Sequence, residues 1–170
     1  ILIKNGRVID PGNSIDKVCD LMISDGKITR VEENISETAD KIIDAGGFWV
    51  VPGLIDLHVH LRDPGFEKKE TIRTGSRSAA MGGFTTICCM PNTKPVIDNE
   101  IIVEYINMKA KRDGVVNILP IGSITKGQKG EELSDIGKMA EVGICAISED
   151  GRSVANAALM KTALKYAGMF

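Results

Sequence analysis

The chain has 170 residues, and 21 Lys and Arg side chains face 23 Asp and Glu side chains, so its formal net charge is only −2. With 43% hydrophobic residues, a chain of this length can bury a sizeable core, which excludes a disordered or fibrous protein. The balanced charge contains no basic block or acidic tail and argues against nucleic acid or an anionic membrane as partner. A small molecule or another protein is the expected partner.

Targeting signals and cysteine chemistry give little further information. The apolar run from Val50 to Leu57 is too short to span a bilayer and lacks the flanks of a signal peptide, so we expect a cytoplasmic protein. The chain opens without Met and stops at Phe170 inside a helical pattern, so we expect both ends to be cut. The cysteines have no C-x-x-C spacing and are expected to be reduced structural residues. They are Cys19, Cys88, Cys89 and Cys145.

Residues 1–49 have the pattern of short strands separated by turns. Asn5-Gly6 and Asp25-Gly26 are hairpin signals, because such residues accept positive φ at low cost. We therefore expect a small β-sandwich module over residues 1–49.

Residues 50–170 alternate strand and helix patterns. Strands are predicted over 50–60, 84–90, 116–122 and 144–148, and helices over 67–81, 98–112, 131–140 and 153–170. Four successive βα units imply parallel strands, because each crossover returns the chain to the same edge. The nearly continuous apolar strand around Cys88 suits a parallel sheet that is covered on both faces.

Two parallel architectures are open to such a chain, a doubly wound sheet and a (β/α)8 barrel. A doubly wound sheet usually carries a glycine-rich first turn, and no G-x-G-x-x-G follows the first strand. Polar residues instead follow each predicted strand, where a barrel builds its active site. They are His58 and His60, Asn92, Ser123 with Thr125, and Glu149 with Asp150. The α/β pattern thus predicts the first half of a (β/α)8 TIM barrel.

The candidate metal ligands are His58 and His60. Residues i and i+2 of a strand face the same way, so two imidazoles with this spacing can bind one metal ion. An isolated His-x-His is more often incidental. Here the two are the only histidines of the chain and end an apolar strand, which favours ligands.

Three further positions follow the predicted strands. Arg62 is placed to meet an anionic substrate, since its planar fork suits a carboxylate, although an ordinary solvated arginine would look the same. Asn92 can donate and accept, or simply make a turn. Glu149 and Asp150 bring two carboxylates, one of which could complete the metal site, and a helix cap explains them equally well. Asp63 is interpreted as a structural turn residue.

The motifs resemble those of the amidohydrolase superfamily and, within it, the type I dihydroorotases. The resemblance covers essentially the whole chain and rests on five stretches. They are Pro52-Gly53-Leu54-Ile55-Asp56-Leu57-His58-Val59-His60-Leu61-Arg62-Asp63-Pro64-Gly65, Gly82-Gly83-Phe84-Thr85-Thr86, Met90-Pro91-Asn92-Thr93, and Ile124-Thr125-Lys126-Gly127 with Glu149-Asp150-Gly151.

The resemblance implies a zinc-dependent cyclic amidase that interconverts dihydroorotate and N-carbamoyl-L-aspartate in pyrimidine biosynthesis. His58, His60 and Asp150 would bind one or two zinc ions, and Arg62 and Asn92 the substrate carboxylate. The family usually has two aspartates before the glycine, where this chain has Glu149 first. The family also uses two more histidines and a general-base aspartate, which we expect beyond the last residue, so this chain alone is expected to be inactive.

Two rival functions remain. Dihydropyrimidinases, hydantoinases and allantoinases share the His-x-His strand, but their neutral rings need no guanidinium, and hydantoinases use a carboxylated lysine after the fourth strand, where this chain has none. A non-catalytic dihydroorotase-like scaffold would commonly lose metal ligands. The resemblance also suggests a homo-oligomer and a complex with aspartate transcarbamoylase.

Overall fold

The computed structural model describes residues 1–170, which divide into two compact units, Ile1–Pro52 and Gly53–Phe170. The first unit contains only strands and a single short 3-10 turn, and the second alternates strands with helices. No helix is both long and apolar enough to cross a membrane.

The first unit is a five-stranded mixed sheet. Its strands are β1 (Leu2–Asp10), β2 (Ile15–Ser24), β3 (Lys27–Glu32), β4 (Ile42–Asp44) and β5 (Trp49–Val50). Strand β2 lies antiparallel between β3 and β1, and the short strands β4 and β5 both pair in parallel with β1. Asp25 and Gly26 both have positive φ in the turn between β2 and β3, so the hairpin predicted there is confirmed.

A buried carboxylate organises the interior of this unit. Asp20 is 1% exposed and accepts hydrogen bonds from the backbone N–H groups of Asn5 (2.9 Å) and Ile35 (3.0 Å). Lys4 Nζ lies 3.7 Å from the same side chain. Burial alone would raise the pKa of Asp20, but these donors and the lysine charge outweigh burial and hold the pKa below its usual range. The carboxylate therefore stabilises the folded unit in its charged form.

The second unit contains a four-stranded parallel sheet. Its elements in chain order are β6 (Leu54–Val59), α1 (Ile72–Met81), β7 (Phe84–Cys89), α2 (Glu100–Asp113), β8 (Asn117–Ser123), α3 (Ile136–Glu141), β9 (Ala146–Ser148) and α4 (Ala157–Ala167). The strand order is β6-β7-β8-β9, with every pair parallel. Each strand adds beside the preceding one without a reversal, as in a barrel and unlike a doubly wound sheet. The predicted half barrel is confirmed.

The helices of this unit begin at side-chain caps. Thr71 and Thr74 form a reciprocal capping box at α1, and the side chain of Asn99 accepts from two backbone N–H groups at the start of α2. The Thr71 cap explains why α1 begins at Ile72 and not at residue 67 as predicted. The predicted strand over 50–60 is also wrong as a single element, because Val50 pairs with β1 and β6 begins only at Leu54.

One apolar core lies between the sheet and its helices. Ile72 of α1, Ile87 of β7, Val103 and Ile106 of α2, and Met139 of α3 all belong to it and are at most 1% exposed. Truncation of such a side chain to alanine costs about 2–5 kcal/mol. This core fixes the helices on the outer face of the sheet and leaves the carboxyl ends of the strands free for the site.

The four cysteines are unpaired, as expected. Cys19, Cys88 and Cys89 are buried, whereas Cys145 is exposed. Burial raises the pKa of the Cys89 thiol to about 12, so this side chain is an uncharged core residue at neutral pH.

Candidate metal centre

The two histidines lie together at the carboxyl end of β6. His58 is the fifth residue of that strand and His60 follows its last residue. Their ring centroids are 5.3 Å apart with an interplanar angle of 67°. The i, i+2 spacing thus places both imidazoles at the same edge of the sheet, as the sequence predicts.

Asp150 reaches the histidines from the far edge of the sheet. It follows β9, and its Oδ1 lies 3.0 Å from His58 Nε2 while its Oδ2 lies 3.8 Å from His60 Nδ1. In a flat sheet the first and fourth strands would be about 14 Å apart. The sheet must therefore curl strongly between β6 and β9 to bring these side chains together, as the wall of a barrel does.

The three side chains fit a divalent metal ion. One ligand atom from each of His58, His60 and Asp150 lies within 4.8 Å of the others, and two imidazoles with one carboxylate are a donor set that zinc accepts. The side chain of Asp150 is only 10% exposed. No Lys or Arg lies within 4.0 Å of it, so a cation at this point would compensate a carboxylate that is otherwise nearly buried without a fixed positive charge.

Asn92 connects two of these candidate ligands. It follows β7, its Oδ1 lies 3.0 Å from His60 Nδ1, and its Nδ2 donates to Asp150 Oδ2. With the proton on Nδ1, His60 donates to Asn92 and keeps Nε2 free for a metal ion. The sequence left Asn92 as a turn residue or, by resemblance, a substrate contact, and the structure places its amide against His60 and Asp150.

Arg62 lies just beyond the histidines with an unpaired guanidinium. Its side chain makes no hydrogen bond or ion pair, and its φ of 59° is in the left-handed region. That region is sparsely populated by residues other than glycine. The carbonyl of Arg62 accepts from Phe66 N at 2.9 Å, which closes a tight turn after the strand. The guanidinium donors remain available for an anionic ligand.

Glu149 and Asp150 are neighbours in sequence but have different partners. Glu149 is buried and accepts from Ile124 N (3.0 Å), Thr125 N (3.1 Å) and the Thr125 hydroxyl group. It therefore binds the loop after β8, and only Asp150 lies beside the histidines. Sequence reasoning missed this role of Glu149, because the loop that it holds is 24 residues away.

Ser123 and Thr125 end up in the same loop network and not beside the histidines. The Ser123 hydroxyl donates to the carbonyl of Thr125 at 2.9 Å, and Thr125 Oγ1 accepts from Gly130 N at 2.9 Å. Both residues are fully buried. Their polar groups shape the loop after β8 and are satisfied there.

Comparison with known proteins identifies the family of the chain. The sequence profile of the Dihydro-orotase-like family matches residues 47–169. The chain is 54% identical over its full length to the dihydroorotase of Ruminiclostridium cellulolyticum and 55% identical to that of Acetivibrio thermocellus, and it spans 40% of the length of each relative. Among solved structures, the L-hydantoinase (dihydropyrimidinase) from Arthrobacter aurescens is 29% identical with a TM-score of 0.74, over 86% of this chain and 32% of that chain. The chain therefore belongs to the dihydroorotase-like family.

Proposed function

We propose that this chain forms part of the active site of a zinc-dependent dihydroorotase, which interconverts dihydroorotate and N-carbamoyl-L-aspartate in pyrimidine biosynthesis. The observation that carries the proposal is the convergence of His58, His60 and Asp150 within 4.8 Å. It occurs in a chain more than half identical to proteins named dihydroorotase. Loss of ligands would be expected in a non-catalytic scaffold, and all three are present.

In this proposal His58, His60 and Asp150 hold one or two zinc ions. Zinc supplies Lewis-acid activation of a water molecule and of the ring amide carbonyl. Asp150 contributes the negative charge of the site, and Asn92 holds His60 and Asp150 in place. The chain has no other histidine, so further ligands and the general-base aspartate would come from residues outside these 170.

Arg62 and Asn92 are proposed to bind the carboxylate of the substrate, Asn92 through the second N–H of its Nδ2, because the first is donated to Asp150. The guanidinium of Arg62 has no protein partner, and a planar fork of donors matches a carboxylate in two-point contact. Dihydroorotate carries such a group, and its neutral ring analogues do not. An unpaired arginine two residues after His60 therefore favours a substrate whose ring carries a carboxylate.

The alternative is a cyclic amidase of the hydantoinase type, which the likeness to the Arthrobacter aurescens enzyme favours. Two observations oppose it. The identity to that enzyme is 29%, against 54% to a named dihydroorotase, and the strand β9, Ala146–Ser148, contains no lysine that could be carboxylated.

The location, oligomeric state and partner of the enzyme are proposed from the same family resemblance. We propose a soluble cytoplasmic protein that assembles as a homo-oligomer and can associate with aspartate transcarbamoylase, which makes the carbamoyl aspartate that a dihydroorotase consumes. Co-purification of the two enzymes would test that association directly.

The test of the function uses the full-length protein that contains this chain. Metal content and turnover of dihydroorotate are measured for the unaltered protein and for His58→Ala, His60→Ala and Asp150→Ala. Glu132→Gln is the matched control, because its side chain is 70% exposed and lies outside the site. We expect the three site variants to lose zinc and activity and the control to keep both. Full activity of His60→Ala, or turnover of hydantoin as fast as of dihydroorotate by the unaltered protein, would refute the proposal.

A further inference from the structure

The loop between β6 and α1 carries Arg62 in a conformation that needs external support. Arg62 has a φ of 59° and Gly65 a φ of 97°, and the left-handed region is unfavourable for a residue other than glycine. Such a turn persists only when surrounding contacts determine it. The contacts that hold this loop therefore decide where the guanidinium of Arg62 lies.

One of these contacts is a buried ion pair with helix α2. Asp63, next to Arg62, is 2% exposed. Lys109 Nζ donates to its Oδ2 at 2.6 Å, and the Tyr105 hydroxyl group lies 3.4 Å from its Oδ1. The side chain of Lys109 is itself only 18% exposed. The charge of Lys109 is thus paired with Asp63 inside the protein.

A second contact fixes the same loop against the loop that carries Asn92. Lys94 N donates to the Pro64 carbonyl at 2.9 Å. A Cβ on Gly65 would lie 2.2 Å from the Lys94 carbonyl oxygen, so the two backbones touch at this point. Asp63 and Gly65 are therefore held on two sides, one by α2 and one by the loop after β7.

We infer that Lys109 and Asp63 are positioning residues, whose buried ion pair holds the left-handed Arg62 where its guanidinium can bind the substrate carboxylate. The inference rests on the proposed function of Arg62. Lys109 touches neither the histidines nor Asp150, so its loss should leave the metal site intact. It should weaken only the recognition of the carboxylate.

The experiment compares Lys109→Met, Lys109→Arg and Lys111→Met in the full-length protein. Lys111 lies on the same helix, is exposed and forms no ion pair, so it controls for removal of a lysine from α2. For each variant we would measure metal content, kcat and KM for dihydroorotate. We would also measure the dissociation constants of N-carbamoyl-L-aspartate and of N-carbamoyl-β-alanine, which lacks the second carboxylate.

We expect Lys109→Met to raise KM about tenfold while kcat stays within about threefold and metal content is unchanged. Binding of N-carbamoyl-L-aspartate should weaken similarly, and binding of N-carbamoyl-β-alanine should stay the same. Lys109→Arg should restore most of the lost affinity, because arginine can still pair with Asp63. Lys111→Met should match the unaltered protein.

The inference is overturned if a folded Lys109→Met protein keeps its KM, or if kcat, metal content and binding of both ligands fall together, as a merely structural role would produce. Should Lys109→Met not fold, Asp63→Asn removes the charge of the other partner of the same ion pair, and an unchanged KM there would overturn the inference as well. An unaltered protein that does not turn over dihydroorotate would instead contradict the proposed function, so the two failures are distinguishable.

Discussion

Replacing Glu149 by alanine should destabilise the protein by about 3–5 kcal/mol, because it leaves three buried donors without an acceptor. These donors are the backbone N–H groups of Ile124 and Thr125 and the Thr125 hydroxyl group. Each unsatisfied buried donor costs about 1–3 kcal/mol, so three donors would cost about 3–9 kcal/mol together. Partial relaxation of the loop should keep the total near the lower end, at about 3–5 kcal/mol. Few single substitutions cost as much.

Glu149→Gln is the matched control, since it keeps the shape and one carbonyl oxygen but loses the charge. Its cost should be only about 1–2 kcal/mol. Urea denaturation followed by circular dichroism gives both values. Metal affinity, measured by competition with a chelator, should also fall about tenfold or more in Glu149→Ala, because the neighbouring Asp150 loses its anchor. A free energy of unfolding within 0.5 kcal/mol of the unaltered protein, about the effect of an ordinary surface change, would show that the reasoning is wrong.

Three further outcomes follow from the structure. Gly65→Ala should destabilise the protein more than Gly83→Ala. Both glycines have positive φ, but only a Cβ on Gly65 would clash with a backbone atom, the carbonyl oxygen of Lys94. Equal melting temperatures of the two variants would contradict this. The pKa of Asp20 in the folded protein is lowered, so its stabilising contribution is present above the unfolded pKa, about 3.9, and is lost as the pH falls through the folded pKa. Asp20→Asn should therefore make the free energy of unfolding less dependent on pH in acid, and an unchanged dependence would count against this. Arg62→Met should weaken binding of dihydroorotate while the zinc content stays nearly constant, and parallel loss of metal would place Arg62 in the metal site instead.

The sequence predicted the order of the strands and helices and the position of the histidines, because these depend on local signals. Alternation of strand and helix patterns, the hairpin at Asp25-Gly26 and the His-x-His at the end of an apolar strand are all read within a few residues. The boundary near Val50 was missed because that residue pairs with β1, more than 40 residues earlier. Pairing between distant strands has no local signature.

The supporting contacts of the site could not be predicted for a similar reason. Lys109 is one of several lysines and arginines on α2, and nothing in its neighbourhood marks it as the partner of Asp63, 46 residues away. Glu149 and Asp150 are both carboxylates in the same turn of the sequence. Only the tertiary structure determines that Glu149 binds the loop after β8 and that Asp150 lies beside the histidines. The sequence thus identifies the residues of the site, whereas the partner that each of them binds depends on the tertiary structure.

The hydrogen bonds that Asn92 makes to His60 and Asp150 have a consequence for how the proposed site would take up a metal ion. They hold two of the donor side chains close together through protein contacts alone, so metal uptake needs little further ordering of those side chains. Removal by a chelator should then be readily reversible, with activity returning as fast as the metal is supplied. Exchange of one divalent ion for another should likewise depend on the preference of each ion for two imidazoles and a carboxylate, and not on refolding of the strand ends.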